Sequence, residues 1–567
     1  MKKNYIEVIQ EEVDREEFTD REKILQELFD WAVGISYYRS KSIALISPRR
    51  YGKTAVLQRL YNKLFWEQDV VAPFYIELER RTYRMDDFAD LYFKTFIRQY
   101  VGFYLKDEII AMSGYSLEDL KEIAQKNNLK GVSIIIDDYQ KIKPIQRNFQ
   151  EMWRFAQTAP SRLCDLAGTY VAVIIDEFQY LDEIIELRGK IQKDITSGFN
   201  ITCSKKNAPM LVSGSQVTIV TRKVFGGPLG GRFGVIYLDL MDIKDGMKLA
   251  FKLSDKHDVP VTADTAQLIS EISHGNPFYI WCAFASIKEN KDLTTAKGVE
   301  EVYKFEVTDR RGKIRDFWNE HFKMNMDLLN TKNKFGLNQK IIFYILKNKD
   351  RSVTYKEIAK KFKISERNAY SRLEDLLKAD IVTEQAYGIV KGLKDKMLEM
   401  CLNVIFKPII EDIDELIVAE EVNKQVNIEI EALKKKLKSM RGYINTIVGE
   451  EAEIMIKRTM NRFNNQEVDG NKYFNINKKI KLPKFDKKPY SRVISGFEEE
   501  KYQIDFYGKK ITKKEKIIWI GESKNWSEKV GIEVVEDLLA KIEQVKKQEN
   551  TEEVIGWLYG KSGFEDA

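Results

Sequence analysis

The stretch from Lys41 to Phe65, KSIALISPRRYGKTAVLQRLYNKLF, constrains the fold more than any other. An apolar run suited to a buried strand passes through a tight loop and becomes a helix with Val56, Leu57, Leu60 and Leu64 near 3.6 spacing. The loop follows G-x-x-x-x-G-K-[ST], with Ser47 in the place of the first glycine. In this context Gly52 lets backbone approach an anion and amides at the helix start face phosphate oxygens. Lys53 reaches the β and γ phosphates, and the Thr54 hydroxyl can ligate magnesium.

Such a site needs an acid at the carboxyl end of a hydrophobic strand. Two stretches offer one: GVSIIIDDYQ, with Asp137 and Asp138, and YVAVIIDEFQYL, with Asp176 and Glu177. The second has the longer apolar run. Its Asp-Glu pair supplies both a magnesium ligand, Asp176, and a carboxylate, Glu177, that can orient the attacking water. The first reads as a strand or helix of an insertion.

Composition narrows the chemistry. Cys164, Cys203, Cys282 and Cys401 are scattered without a C-x-x-C pair, which suggests neither zinc nor a disulfide framework and fits a cytoplasm. Only His257, His274 and His321 are present, which argues against histidine-activated nucleophiles and multi-histidine metal sites. The opening MKKNYIEVIQEEVDREEF reaches charged residues too soon for a signal peptide, and no run is apolar enough to span a bilayer, so a cytoplasmic protein is expected. The net charge of +6 is small beside 93 basic and 87 acidic residues. Locally, Asn471 to Ile520 holds about 14 Lys/Arg against about 6 Asp/Glu, which suits either a polyanion or a solvated lysine-rich face.

Taken in order, FTDREKILQELF, SPRRYGKT, IIDEFQYL, LVSGSQ, GGPLGGRFG and HGNPFYI make residues 15–300 resemble the prokaryotic, archaeal-type ATPases of the STAND branch of P-loop NTPases, relatives of AAA+ proteins. The resemblance implies ATP and Mg2+ held by Ser47, Arg50, Tyr51, Gly52, Lys53, Thr54 and Asp176, with Glu177 catalytic. It makes Ser215 a polar sensor beside the metal strand. Arg232 becomes a γ-phosphate-sensing arginine, for its own chain or a neighbour's; the alternative is a surface salt bridge. Gly275 and Pro277 resemble a G-x-P element that touches the nucleotide from a helical lid, while Asn276 and Pro277 also read as a helix N-cap and first-turn proline. Thr19 to Glu22 has the T-x-x-E form of a capping box.

Residues 338–391 look like a winged helix-turn-helix. Its last helix, starting near Ser365, would turn Ala369, Leu373, Leu376 and Leu377 inward and expose Arg367, Asn368, Tyr370, Ser371 and Arg372. Glu366, Glu374 and Asp375 oppose a phosphate backbone, so DNA contact and packing as a lid or against protein both stay open. Residues 401–440 read as a helical spacer, too short in heptads for a coiled coil.

In YQIDFYGKKITKKEKIIWIGESKNW a hairpin is expected, its first strand ending near Asp505 and its second carrying Glu522 and Lys524 on one face. Two carboxylates there could hold magnesium while Lys524 stabilises the attacking water or developing charge. Upstream, IVGEEAEIMIKRTMNRF reads as a helix with Ala452, Ile456, Met460 and Phe463 inward and Glu453 beside them. From about residue 443 the order helix, strand, strand with E-x-K, helix resembles the PD-(D/E)xK nuclease superfamily, without a proline before Asp505. That likeness implies metal ligands Glu453, Asp505 and Glu522, with Lys524 catalytic.

The expected fold is α/β: a P-loop NTPase parallel sheet (1–240), a helical lid and connector (241–335), a winged helix (336–395), a helical spacer (396–442) and a restriction-endonuclease-like domain (443–567). The expected function is an ATP-hydrolysing switch that controls a magnesium-dependent DNA nuclease. The alternative is a signalling or scaffold ATPase whose last domain binds nucleic acid or protein without cutting. The site residues do not specify the sugar, so RNA stands beside DNA as a partner. No membrane partner is expected, and a homo-oligomer is open.

Overall fold

The computed structural model describes residues 7–564 apart from 113, 143–148, 193–194, 216–228, 330–335, 350, 379–380, 387, 394–395, 439–451, 475, 496–500, 513–514, 525–528 and 561–562. The chain divides into two compact units, Met1–Glu431 and Ala432–Ala567. No helix among the described residues is long and apolar enough to cross a membrane.

The first unit is built on a five-stranded sheet: β1 (Ile43–Ile46), β2 (Val71–Glu77), β3 (Tyr170–Asp176), β4 (Met210–Gly214) and β5 (Gly234–Tyr237), in the order β2-β3-β4-β1-β5. All four pairings are parallel. β2, β3 and β4 are buried along almost their whole length, as expected of parallel strands covered on both faces. β1 leads through Ser47–Gly52 into helix α1 (Lys53–Glu67), whose Val56, Leu57, Leu60, Tyr61, Leu64 and Phe65 are fully buried against the sheet. A central strand, a glycine loop and a helix at the carboxyl edge of a parallel sheet form the architecture of a P-loop nucleotide fold.

The insertion between β2 and β3 is largely helical, and GVSIIIDDYQ lies, from its second residue, in the helix Val132–Ile142. Ile135, Ile136 and Tyr139 face inward there, while Asp137 and Asp138 pair with Lys121 and Lys141. Neither acid ends a sheet strand. Helix Glu22–Val33 begins where T-x-x-E suggests, but Thr19 does not cap it: its hydroxyl donates to Glu17 C=O at 2.7 Å. Asp20 takes a left-handed φ of 59°, and the preceding residue of the helix, Arg21, is committed elsewhere. Its guanidinium donates to Tyr51 C=O at 3.2 Å and Asp239 C=O at 2.8 Å, tying the amino-terminal segment to the loop.

After β5 come five helices, among them α2 (Pro277–Ala285) and α3 (Lys313–Leu329). A helix (Leu337–Lys347), a short strand (Ser352–Thr354), two helices (Tyr355–Phe362 and α4, Glu366–Lys378) and a hairpin (Val382–Ala386 with Ile389–Leu393) then form a small three-stranded module. Ala369, Leu373, Leu376 and Leu377 are buried on α4. Arg372, expected to be exposed, is buried: its Nε donates to Asn368 Oδ1, and α4 packs against α3. The expected spacer is two helices, Lys396–Glu411 and Glu415–Lys438. The first is no free spacer, because its Leu398, Cys401 and Leu402 are buried and it packs on Leu337–Lys347.

The second unit holds a helix over residues 452–461, strands β6 (Tyr490–Ser495), β7 (Lys501–Ile511) and β8 (Lys516–Lys524), helix α5 (Ile532–Glu549) and β9 (Val554–Gly560). The sheet runs β6-β7-β8-β9, antiparallel except for the β8–β9 pair, which α5 connects as a crossover. Strand alternation sorts β8 between two cores. Ile518 and Ile520 pack with Leu538 and Val545 of α5, while Trp519 packs with Ile456, Met460 and Phe463.

Candidate functional site

At the carboxyl edge of the first sheet, Gly52 has φ +89°, a conformation that favours glycine, and a side chain built there would meet nothing within 4 Å. The loop therefore keeps an open cradle. Lys53 is buried, and its ammonium donates to the carbonyls of Ser47 at 2.8 Å and Pro48 at 2.9 Å. Ser47 adds its hydroxyl at 3.3 Å, so the residue replacing the usual glycine helps to hold the lysine.

Asp176 ends β3 with no exposed surface. Thr54 Oγ1 donates to its Oδ2 at 2.7 Å, Glu177 N–H to Oδ1 at 2.9 Å, and Ser213 Oγ also bonds Oδ1. Burial pushes its acidity toward the protonated form, reinforced by the charge of Glu177; Ser213, Thr54 and Lys53 pull it back. Glu177 sits at φ 55° and is held in turn by Ser215 Oγ at 2.7 Å and by Gln179 Nε2, which also donates to Ser215 Oγ at 3.2 Å. Glu77 stands opposite Asp176 in the β2–β3 register, and its carboxyl is pushed up to about 7 by burial and then by Asp176.

A magnesium nucleotide fits these residues. The cradle has space, the lysine caps carbonyls that attract it less than phosphate would, and a hydroxyl and carboxylate meet where a hard cation takes oxygen ligands. Lys53, Thr54, Asp176, Glu177 and Ser215 converge. Ser213, Gln179 and Glu77 join them without having been singled out in the sequence. Ser213 carried a signal, since in LVSGS it alternates with Ser215 and shares its face.

Arg232 does not join them. It is exposed and donates to Ser204 Oγ at 2.6 Å, just before β5. Gly234 pairs with Ile43, the first residue of β1, whereas the loop follows Ile46. Three strand steps, about 10 Å at roughly 3.3 Å per residue, put Arg232 at the opposite edge. Phosphate sensing within the chain is therefore corrected.

Helix α2, expected in a lid, meets the loop directly. Asn276 caps α2, accepting from Phe278 N–H, with Pro277 in the first turn. Arg50, at φ 63°, places its guanidinium 4.9 Å from the ring centres of both Phe278 and Phe317. Tyr51 lines the same cleft with Asn276, Tyr279, Trp318 and His321.

In the second unit Asp505 lies within β7 rather than at its end. The β7–β8 ladder stops at Phe506↔Gly521, one residue short of Asp505 and Glu522. Asp505 Oδ2 accepts Ser523 N–H at 2.8 Å, which puts its carboxylate on the backbone between Glu522 and Lys524. Glu522 is buried, with Lys524 Nζ 3.2 Å from one oxygen and Lys541 Nζ 2.9 Å from the other. Glu453 pairs with Lys457 at 3.2 Å; that lysine donates to Ser491 Oγ, which donates to Asp505 C=O. Among the described residues no three His, Cys, Asp or Glu side chains form a metal-holding group. Glu453 thus approaches Asp505 through an intervening lysine and serine. Two carboxylates flanking the ladder's end still suit a cation, provided that the lysines on Glu522 can yield.

No protein-family model and no curated protein matches the chain. Solved structures similar to it include a Walker-type ATPase of Pyrococcus abyssi, at 16% identity and TM-score 0.40, over 70% of this chain and 98% of that one. The Orc1 protein of Aeropyrum pernix, solved in complex with DNA, is similar at 13% identity and TM-score 0.33, over 69% and 94%. The RuvB Holliday junction branch migration motor of Thermotoga maritima is similar at 12% identity and TM-score 0.31, over 67% and 94%. These likenesses are distant.

Proposed function

We propose that the first unit binds and hydrolyses ATP with magnesium, as a switch. The observation that carries this reading is the 2.7 Å bond from Thr54 to the buried Asp176 beside a lysine held at the mouth of an open glycine cradle. Bound Mg·ATP supplies the phosphoanhydride and the cation. With Mg·ATP bound, Lys53 would exchange the Ser47 and Pro48 carbonyls for the β and γ phosphates, and Thr54 and Asp176 would hold the metal. Glu177, steadied by Ser215 and Gln179, takes the proton of the attacking water. Arg50 and its two aromatic rings couple the loop to α2 and α3, so the loop and lid respond together; differential contacts of this kind are what a switch requires. Glu177→Gln is expected to retain ATP affinity and lose turnover about a hundredfold or more. Unchanged turnover in an ATPase assay removes its role as base.

The small three-stranded module we read as a winged helix, and the burial of Arg372 together with the packing of α4 on α3 supports a lid role over DNA reading for α4. The second unit we read as a PD-(D/E)xK nuclease domain acting on DNA or RNA, with Asp505 and Glu522 toward magnesium, Glu453 behind them and Lys524 toward the scissile phosphate. Plasmid, linear DNA and RNA incubated with magnesium, with and without ATP, test it. Cleavage that Lys524→Ala abolishes while ATPase activity persists is the expected outcome. One observation favours the second reading, a scaffold ATPase whose last domain binds without cutting: both oxygens of Glu522 are occupied by lysines. Binding without cleavage would establish it.

A further inference from the structure

The E-x-K pair accounts for one of the two ammonium groups on Glu522; the other comes from α5. Ile518, Ile520 and Glu522 follow one another along one face of β8, and α5 covers that face through Leu538 and Val545. Lys541, three residues beyond Leu538, therefore arrives at Glu522, with its side chain only 9% exposed. Its Nζ lies 2.9 Å from Glu522 Oε1 and 2.8 Å from Asp537 Oδ2, one turn back on the same helix. A buried lysine needs such carboxylates, and a buried carboxylate needs such donors. We propose that Lys541 is a positioning residue that holds Glu522 in place of a divalent cation and yields it when the cation enters, withdrawing onto Asp537. This rests on reading Asp505 and Glu522 as the metal site of the second unit.

Asp537 makes the exchange feasible. Without it, displacing Lys541 would strand a buried ammonium; with it, the lysine keeps one partner at hydrogen-bond distance. The two carboxylates thus set opposite pulls on one ammonium, and the cation affinity of Glu522 follows from their balance. Lys524, at the strand end, bonds the other oxygen of Glu522 at 3.2 Å, so the exchange concerns Oε1 alone.

The test is Mn2+ binding to the nucleotide-free full chain, followed by electron paramagnetic resonance. Lys541→Met and Lys541→Gln, which remove the competing charge, are expected to tighten binding about tenfold, because like charges a few ångströms apart repel strongly in a buried site. Asp537→Asn, which leaves Glu522 as the only carboxylate for Lys541, is expected to weaken it. Glu522→Gln should remove the site. If Glu522→Gln lowers Mn2+ binding but the Lys541 and Asp537 variants match wild type, the exchange is refuted while the metal site stands. If Glu522→Gln binds Mn2+ as wild type does, or no form binds it, the metal-site reading itself fails. The opposed signs of the Lys541 and Asp537 variants also separate the proposal from misfolding, which would lower binding in all of them.

Discussion

Asp176 is a carboxylate with no exposed surface, made tolerable by hydrogen bonds from Thr54, Ser213 and the Glu177 amide. Its neighbour Glu77, at the exposed end of β2, faces that buried charge with fewer donors, and its carboxyl is pushed up to about 7. The sign of its effect on stability follows. A folded-state value above the ordinary 4.5 means that the native protein holds this proton more tightly than the unfolded chain. The resulting stabilisation is full below about pH 4.5 and is lost as pH rises through about 7. Glu77→Gln should therefore raise the melting temperature of the nucleotide-free protein at pH 8 and leave it nearly unchanged at pH 4. Equal shifts at both pH values would contradict the placement of Glu77 against Asp176.

Between elements, the loop, the helices α2 and α3 and the amino-terminal segment are joined by a few ties: Arg21 to Tyr51 and Asp239, Arg50 to Phe278 and Phe317, and Gly275 to Met241. Gly275 has φ +69°, and a side chain there would stand 1.9 Å from Met241 C=O. Both facts require glycine. Gly275→Ala should cost about 2 kcal/mol or more in urea denaturation, because strain and steric overlap act together; a cost below half that would mean the lid can shift freely. These ties also show what was legible in the sequence. The strand, loop and α1 are contiguous, and their periodicity is local, so they could be read directly. So could the inward residues of the helix over 452–461 and of α4. Glu77 and Lys541 act only because strand pairing or helix packing brings distant segments together, whereas Ser213 shares the face of Ser215 and Gln179 lies two residues from Glu177. Thr19 as a cap and Arg232 as a phosphate sensor for its own chain failed for the same reason: short patterns named roles that Arg21's tertiary bonds and the direction of β5 overrule.

At the scale of the whole molecule, each of the two units carries its own candidate site, and in each a lysine bonds protein oxygens: Lys53 the loop carbonyls, Lys541 the Glu522 carboxylate. Regulation of the second unit by the first requires the first to sense a nucleotide, so that capacity underlies the rest. Titration of the full chain with fluorescent ATP and magnesium, wild type beside Lys53→Ala, measures it most directly. A saturable signal that Lys53→Ala weakens by about a hundredfold or more, with both forms folded by circular dichroism, is the result expected; equal affinity in the two, or no saturable binding by the folded wild type, would contradict it.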